Sequence, residues 1–211
     1  MSYERLTPDN AAVLFVDHQA GLSNGVQDQS YPEYIAAVTA LAETAKAFGL
    51  PSVITTSAED GPNGPILPLL TELLPDAPVV SRPGEINAWD NEEFVKAVEA
   101  TGRKKLIVAG VSTEVCVTFV ALAAQAAGYE VYAVIDASGT WNKLVQEIAV
   151  QRMAQAGIVP VTWVAVAAEL QGDWRNPTGA ELARTMGTHL PFYGSLQASY
   201  AVAASAALQH A

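Results

Sequence analysis

The stretch that most constrains this chain is Lys104–Phe119, KKLIVAGVSTEVCVTF, which holds its only cysteine. Leu106 to Ala109 is a short apolar, partly β-branched run of the kind that fills a strand covered on both faces. Gly110 ends the run. Ser112 and Thr113 then offer N-cap hydroxyls, and Glu114 a first-turn acid, for a helix continuing through Ala-rich sequence to Gly128. The spacing predicts Cys116 in the first turn of a helix that begins where a central strand stops. Open parallel sheets bind ligands at that edge, and a helix N-terminus there favours thiolate over thiol. A plainer reading stands beside it: a lone cysteine is commonly a small buried apolar side chain.

The rest of the chain repeats the strand-then-helix pattern. Residues 12–18, AVLFVDH, follow a turn at 7–10 and predict a buried strand with Asp17 and His18 at its carboxyl end. Residues 19–32 read as a loop, and 34–48 as a helix closed by Gly49. Further strands are predicted at 52–56, 77–81, 130–135 and 159–163, with helices ending near Leu74, at 91–100, at 142–155 and through Leu170. Pro83 has no N–H and stops the third strand just after Arg82. Six strands alternating with helices imply an α/β fold, a doubly wound and mostly parallel sheet with helices on both faces. In the strand order 3-2-1-4-5-6, the first and fourth strands meet at the topological switch point, so Asp17 and Cys116 face one crevice. Residues 1–177 form this domain, and the Ala-rich segment 178–211 is a helical extension best used in contacts between subunits.

Composition narrows the possible partners. The chain has 22 acidic against 11 basic residues in 211, a net charge of −11, which argues against nucleic acid and anionic membrane as partners. Half of the residues are hydrophobic, yet no uninterrupted run reaches the roughly 18 needed to span a bilayer. The surplus apolar surface points to a homo-oligomer. One cysteine excludes an internal disulfide framework and a cysteine-rich zinc site. The first ten residues lack the layout of a signal peptide, so cytoplasm is the expected compartment.

Dinucleotide, phosphate-loop and serine-elbow motifs are missing, as are paired Cys or His metal ligands, so no cofactor and no metal are expected. Of the three histidines, 18, 189 and 210, only His18 falls at a strand end, where it also reads as a packed loop residue. Asp17 alone could cap a loop, and Arg82 alone could be a surface cation. Together, though, the order places an acid, a cation and a thiol at the ends of neighbouring strands.

Val16-Asp17-His18-Gln19, Arg82-Pro83-Gly84 and Gly110-Val111-Ser112-Thr113-Glu114-Val115-Cys116-Val117 resemble the isochorismatase-like cysteine hydrolases. Asn87 to Asn91 and Asp136 to Thr140 are similar to the YcaC-type branch, and the likeness runs from about residue 5 to about residue 176. The resemblance implies a six-stranded parallel sheet and an Asp/Lys/Cys triad carried by Asp17, Arg82 and Cys116. It also implies a cis peptide at Val111–Ser112 and an octamer of stacked rings. The family's usual lysine is arginine here, which retains the positive charge but does not give up a proton. The implied activity is cleavage of a C–N, amide-type bond of a small molecule through a thioester on Cys116, with the N–H groups of Ser112 and Cys116 as oxyanion hole. Gln19, Trp89 and Trp141 are expected to shape the substrate pocket, and Phe15 to pack in the core. Two other readings remain open from sequence: a non-catalytic oligomeric binding or assembly protein, and a redox-sensing thiol, which lacks a second cysteine to resolve it.

Overall fold

Six strands form one all-parallel sheet in the order β3-β2-β1-β4-β5-β6 in the computed structural model, which describes residues 4–209. The sequence predicts this order. Residues 1–3, 210 and 211, His210 among them, lie outside the described residues. The strands are β1 (Ala11–Val16), β2 (Ser52–Ser57), β3 (Val79–Arg82), β4 (Lys105–Gly110), β5 (Glu130–Val134) and β6 (Val159–Val161). β1 and β4 pair along their whole length, from Ala11 opposite Lys105 to Val16 opposite Gly110.

Every residue of these two central strands is buried, which explains why they read as continuous apolar runs. Alternation sends Val13, Phe15, Ile107 and Ala109 to one face and Ala12, Leu14, Leu106 and Val108 to the other. The first face is covered by α2 (Tyr31–Ala47) and α7 (Trp163–Gln171), the second by α4 (Glu92–Ala100), α5 (Thr118–Ala126) and α6 (Lys143–Gln155). A one-turn α1 (Ala20–Ser23) and α3 (Pro68–Leu73) lie in the connections flanking β2.

Several boundaries differ from the sequence reading, each for a local reason. α2 starts at Tyr31 because Ser30 and Glu33 form a reciprocal capping box and Pro32 fits the first turn, where its missing N–H costs nothing. Trp163 leaves the last strand and opens α7, its N–H donating to Asp136 Oδ1 at 2.9 Å. The third strand starts at Val79 instead of residue 77, because Ala77 N–H is taken by Leu74 O in the preceding turn, and it runs on to Arg82.

The segment after residue 177 divides into two unlike pieces. α8 (Gly179–His189) buries Leu182 and Met186 in the core shared with α2, and Thr185 donates to Glu43. α9 (Pro191–Gln209) folds back on α8, where Gly194 approaches so closely that a Cβ there would lie 2.7 Å from Gly187 O. Its Phe192, Leu196, Tyr200 and Val202 are exposed. Among the described residues, no helix is long and apolar enough to cross a membrane.

Candidate active site

β1 ends at Val16, and the next residue turns sharply. Asp17 has φ +55°, in the left-handed region that L residues other than Asn and Asp rarely enter. Its N–H still bonds Thr55 O on β2 at 2.9 Å, while its O accepts from Gln19 N–H at 2.7 Å. The carboxyl group is fully buried and pairs with Arg82, the last residue of β3, whose Nη2 donates to Asp17 Oδ1. Arg82 spreads its fork over two further acceptors: Nε donates to Thr55 Oγ1 at 3.0 Å, and Nη1 to Glu85 O. A lysine could not reach three separate acceptors in this way. The other carboxylate oxygen, Asp17 Oδ2, is buried with no hydrogen-bond partner among the described residues. Buried polar atoms are seldom left so.

On the neighbouring β4, Gly110 lies against Val16; a Cβ there would stand 2.1 Å from Val16 O. The Val111–Ser112 peptide that follows is cis. Cys116 lies on a π-wound turn, Thr113–Val117, in which Val117 N–H bonds Ser112 O at 3.1 Å before α5 begins. This differs from the regular first turn predicted from sequence. The wider winding also leaves the expected caps unused: the Ser112 hydroxyl makes no cap bond, and Thr113 Oγ1 is buried without a partner among the described residues. Single π turns of this kind recur at functional sites.

Cys116 and Asp17 are close enough to perturb one another. Burial pushes the thiol up, and the adjacent Asp17 carboxylate pushes it further; the Ser112 backbone and Arg82 oppose more weakly. Asp17 is itself raised from 3.8 by burial, against the pull of Arg82 and of the thiol. The expectation that the helix N-terminus favours thiolate over thiol is therefore corrected. At the sulfur the nearer carboxylate outweighs the guanidinium, whose donors are already engaged. Burial and the neighbouring carboxylate thus both favour keeping the proton on sulfur.

The thiol opens into a cavity of about 300 Å³ lined by Leu22, Asn63, Ile86, Ser112 and Trp141 as well as Glu114. Trp141 can lie there because residue 25 is glycine; a Cβ would sit 2.6 Å from the indole Cζ3. Two expected pocket residues are elsewhere. Gln19 is buried, donating to Ser57 O and Gly64 O and accepting from Ser57 N–H at 2.9 Å, so it ties the end of β2 to the 61–64 turn. Trp89 packs edge-on against Phe94 and Tyr129 and lines a separate cavity with Lys104. The residue type suggests a pocket side chain, but its 3₁₀ turn, Ala88–Asp90, packs on α4 and α5.

Phe15 is core. His18 stacks on Tyr34 and bonds Ala137 O through Nε2, and burial lowers it to about 4. Asn63 and Ile86 were not anticipated. Asn63 stood within a turn-rich segment, and its Nδ2 holds Ser57 O and Oγ. Among the described residues no three His, Cys, Asp or Glu side chains are grouped to hold a metal ion.

The isochorismatase domain matches residues 11–165. The chain belongs to the isochorismatase family. Within it, the chain is 52% identical over 198 residues to the probable hydrolase YcaC of Escherichia coli, covering 94% of this chain and 95% of that protein. Two solved structures of isochorismatase-family relatives superpose closely. YcaC from Pseudomonas aeruginosa, with hexane-2,5-diol and covalent acrylamide, shares 52% identity at a TM-score of 0.92, over 95% of this chain and 99% of that one. The Escherichia coli YcaC gene product, described as an octameric hydrolase of unknown specificity, shares 53% at a TM-score of 0.93, over 96% and 98%.

Proposed function

We propose that this chain is a cysteine hydrolase that opens a C–N, amide-type bond of a small molecule through a thioester on Cys116. The reading rests above all on Asp17 Oδ2, an unpartnered carboxylate oxygen buried beside the only thiol, on an acid that Arg82 clamps from the other side. An acceptor in that position takes the thiol proton as the sulfur attacks. The relatives support the reading: one is named a probable hydrolase, and another carries covalent acrylamide, a reagent that soft nucleophiles such as thiolates add to.

In the first step Sγ attacks the amide carbon while Asp17 accepts the thiol proton. The carbonyl electron pair moves to oxygen, where the N–H groups of Ser112 and Cys116 receive it. One such donor is worth about 3 kcal/mol in a transition state. The C–N bond breaks, the leaving nitrogen takes the proton from Asp17, and the acyl group stays on sulfur. Water then attacks the thioester with Asp17 again as base, releasing the carboxylic acid and returning the proton to the thiol. Arg82 keeps its proton throughout; it orients Asp17 and stabilises its charge. Activation is by general base at the moment of attack rather than by a thiolate formed beforehand.

The same reading places the protein in the cytoplasm, where a reactive thiol stays reduced, and in a homo-oligomer, supported by the exposed apolar face of α9 and the octameric relative. Small primary and secondary carboxamides and hydroxamates, followed by intact mass, provide the test. An acyl adduct on Cys116 is expected, and Cys116→Ala should lower turnover at least about 10³-fold with an unchanged melting temperature. Turnover near wild type in that variant would place the nucleophile elsewhere.

A further inference from the structure

The cleft above Cys116 holds an acid that amide hydrolysis does not call for. Glu114, two residues before Cys116 on the π turn, lines the same cavity. Its Oε2 accepts from Thr140 Oγ1 at 2.7 Å. Thr140 is fixed in turn, its N–H donating to Asp28 Oδ1 at 2.9 Å, and Asp28 Oδ2 accepts from Gln146 Nε2 at 2.7 Å. These neutral donors hold the Glu114 carboxylate against the wall without cancelling its charge.

No cation answers it. Among the described residues lining the cavity, Glu114 has the only charged side chain, and the rest are apolar or neutral, with Leu22, Ile86 and Trp141 forming much of the wall. Arg82 does not line the cavity, and its Nε, Nη1 and Nη2 are engaged by Thr55, Glu85 and Asp17. A ligand approaching the sulfur therefore meets a fixed negative charge, low-dielectric walls and no free positive partner. The first-turn acid that the sequence offers as a helix-start signal thus lines the cavity beside the thiol.

We propose that Glu114 sets the charge specificity of the site, admitting small uncharged or amine-bearing carboxamides and turning away those that carry a carboxylate or phosphate. A like charge held within one ligand's length in such a cleft discriminates by about tenfold or more. The assignment deepens the cysteine-hydrolase reading and rests on it for the word carboxamide, but the charge preference can be measured without turnover.

Three methanethiosulfonate reagents differing in charge serve as probes: the 2-(trimethylammonio)ethyl, methyl and 2-sulfonatoethyl forms. Each transfers its thioalkyl group to a thiol and releases methanesulfinate. With a single cysteine in the full chain, intact mass reads the rate at Cys116 alone. Rates are divided by those of 2-mercaptoethanol to remove intrinsic reactivity. The cation-to-anion ratio should exceed that of the free thiol by about tenfold or more at low salt and fall as salt is raised. Glu114→Gln keeps an acceptor for Thr140 and should bring the ratio within about threefold of the free thiol, with little salt dependence. Thr140→Val removes the tether but leaves the charge, and should keep the preference.

Equal ratios in wild type and Glu114→Gln would overturn the proposal. If that variant fails to fold, the wild-type salt series decides, and a flat ratio overturns it. Charge preference without amide turnover would leave the assignment standing and remove the hydrolase reading; turnover without preference would do the reverse.

Discussion

Two cations in this protein are equally hidden and do different work. Arg82 and Lys105 are each about 1% exposed, one at the carboxyl end of β3 and the other at the amino end of β4. Lys105 lies over the Tyr132 ring and reaches Glu4 and Glu130 at 3.4 and 3.5 Å, but those acids are 70% and 59% exposed. Its head is buried, but its counter-charges are in water, so the pairing is screened much as a surface ion pair is. Arg82 instead meets an acid that is itself wholly buried, in a left-handed turn, with one oxygen unsatisfied beside a thiol. Burial of the cation is common to both. What separates a fastener from a working site is whether the partner acid is also dry and has an oxygen to spare.

The largest effect expected from breaking the Arg82 arrangement is on turnover. Asp17→Asn keeps the shape but loses the proton acceptor, and turnover on any amide substrate should fall by about 10³-fold or more. The wild-type rate should also drop as pH falls through the Asp17 midpoint, which lies above 3.8, and that acid limb should vanish in the variant. An unchanged acid limb would assign the base to another group.

Next comes stability. Arg82→Met strands a buried carboxylate and should cost about 3–5 kcal/mol in urea unfolding, whereas Lys105→Met leaves only hydrated acids and should cost about 1 kcal/mol or less. Equal losses would erase the distinction drawn between the two cations. A smaller change, Arg82→Lys, retains the charge but abandons some of the Thr55, Glu85 and Asp17 bonds, at about 1–2 kcal/mol.

His18 extends the comparison to a buried group with no counter-charge. Its folded midpoint of about 4 lies below the ordinary 6.5, so the unfolded chain takes up the proton first. Its contribution is therefore in place above pH 6.5 and lost as pH falls from 6.5 towards 4, by on the order of 2–3 kcal/mol. Asp136, raised from 3.8 to about 6 by burial, acts in the opposite sense over an overlapping range, which partly masks the loss in wild type. The difference between wild type and His18→Gln isolates it: the wild type should lose more stability between pH 6.5 and 4.5, and parallel curves would deny His18 that part.

The strands and their order were legible because β1 and β4 are buried on both faces and show it as unbroken apolar runs, with Asp17 and Cys116 just beyond their ends. The start of α2 was legible too, in Ser30-x-x-Glu33, but Pro32 was read as a loop marker instead of a first-turn residue. Trp89 and Gln19 went astray because residue type and strand-end position do not say which way a side chain turns. The direction of the thiol shift was out of reach of the sequence altogether. It depends on which of two opposite charges stands nearer the sulfur and on how dry the place is.

That shift can be read directly in solution. Thiolate absorbs near 240 nm, and the chain has one cysteine, so the difference spectrum between wild type and Cys116→Ser reports this sulfur alone. No thiolate signal is expected from pH 5 to pH 9, the proton leaving only when an electrophile is engaged. A thiolate band with a midpoint near or below pH 7 would contradict it.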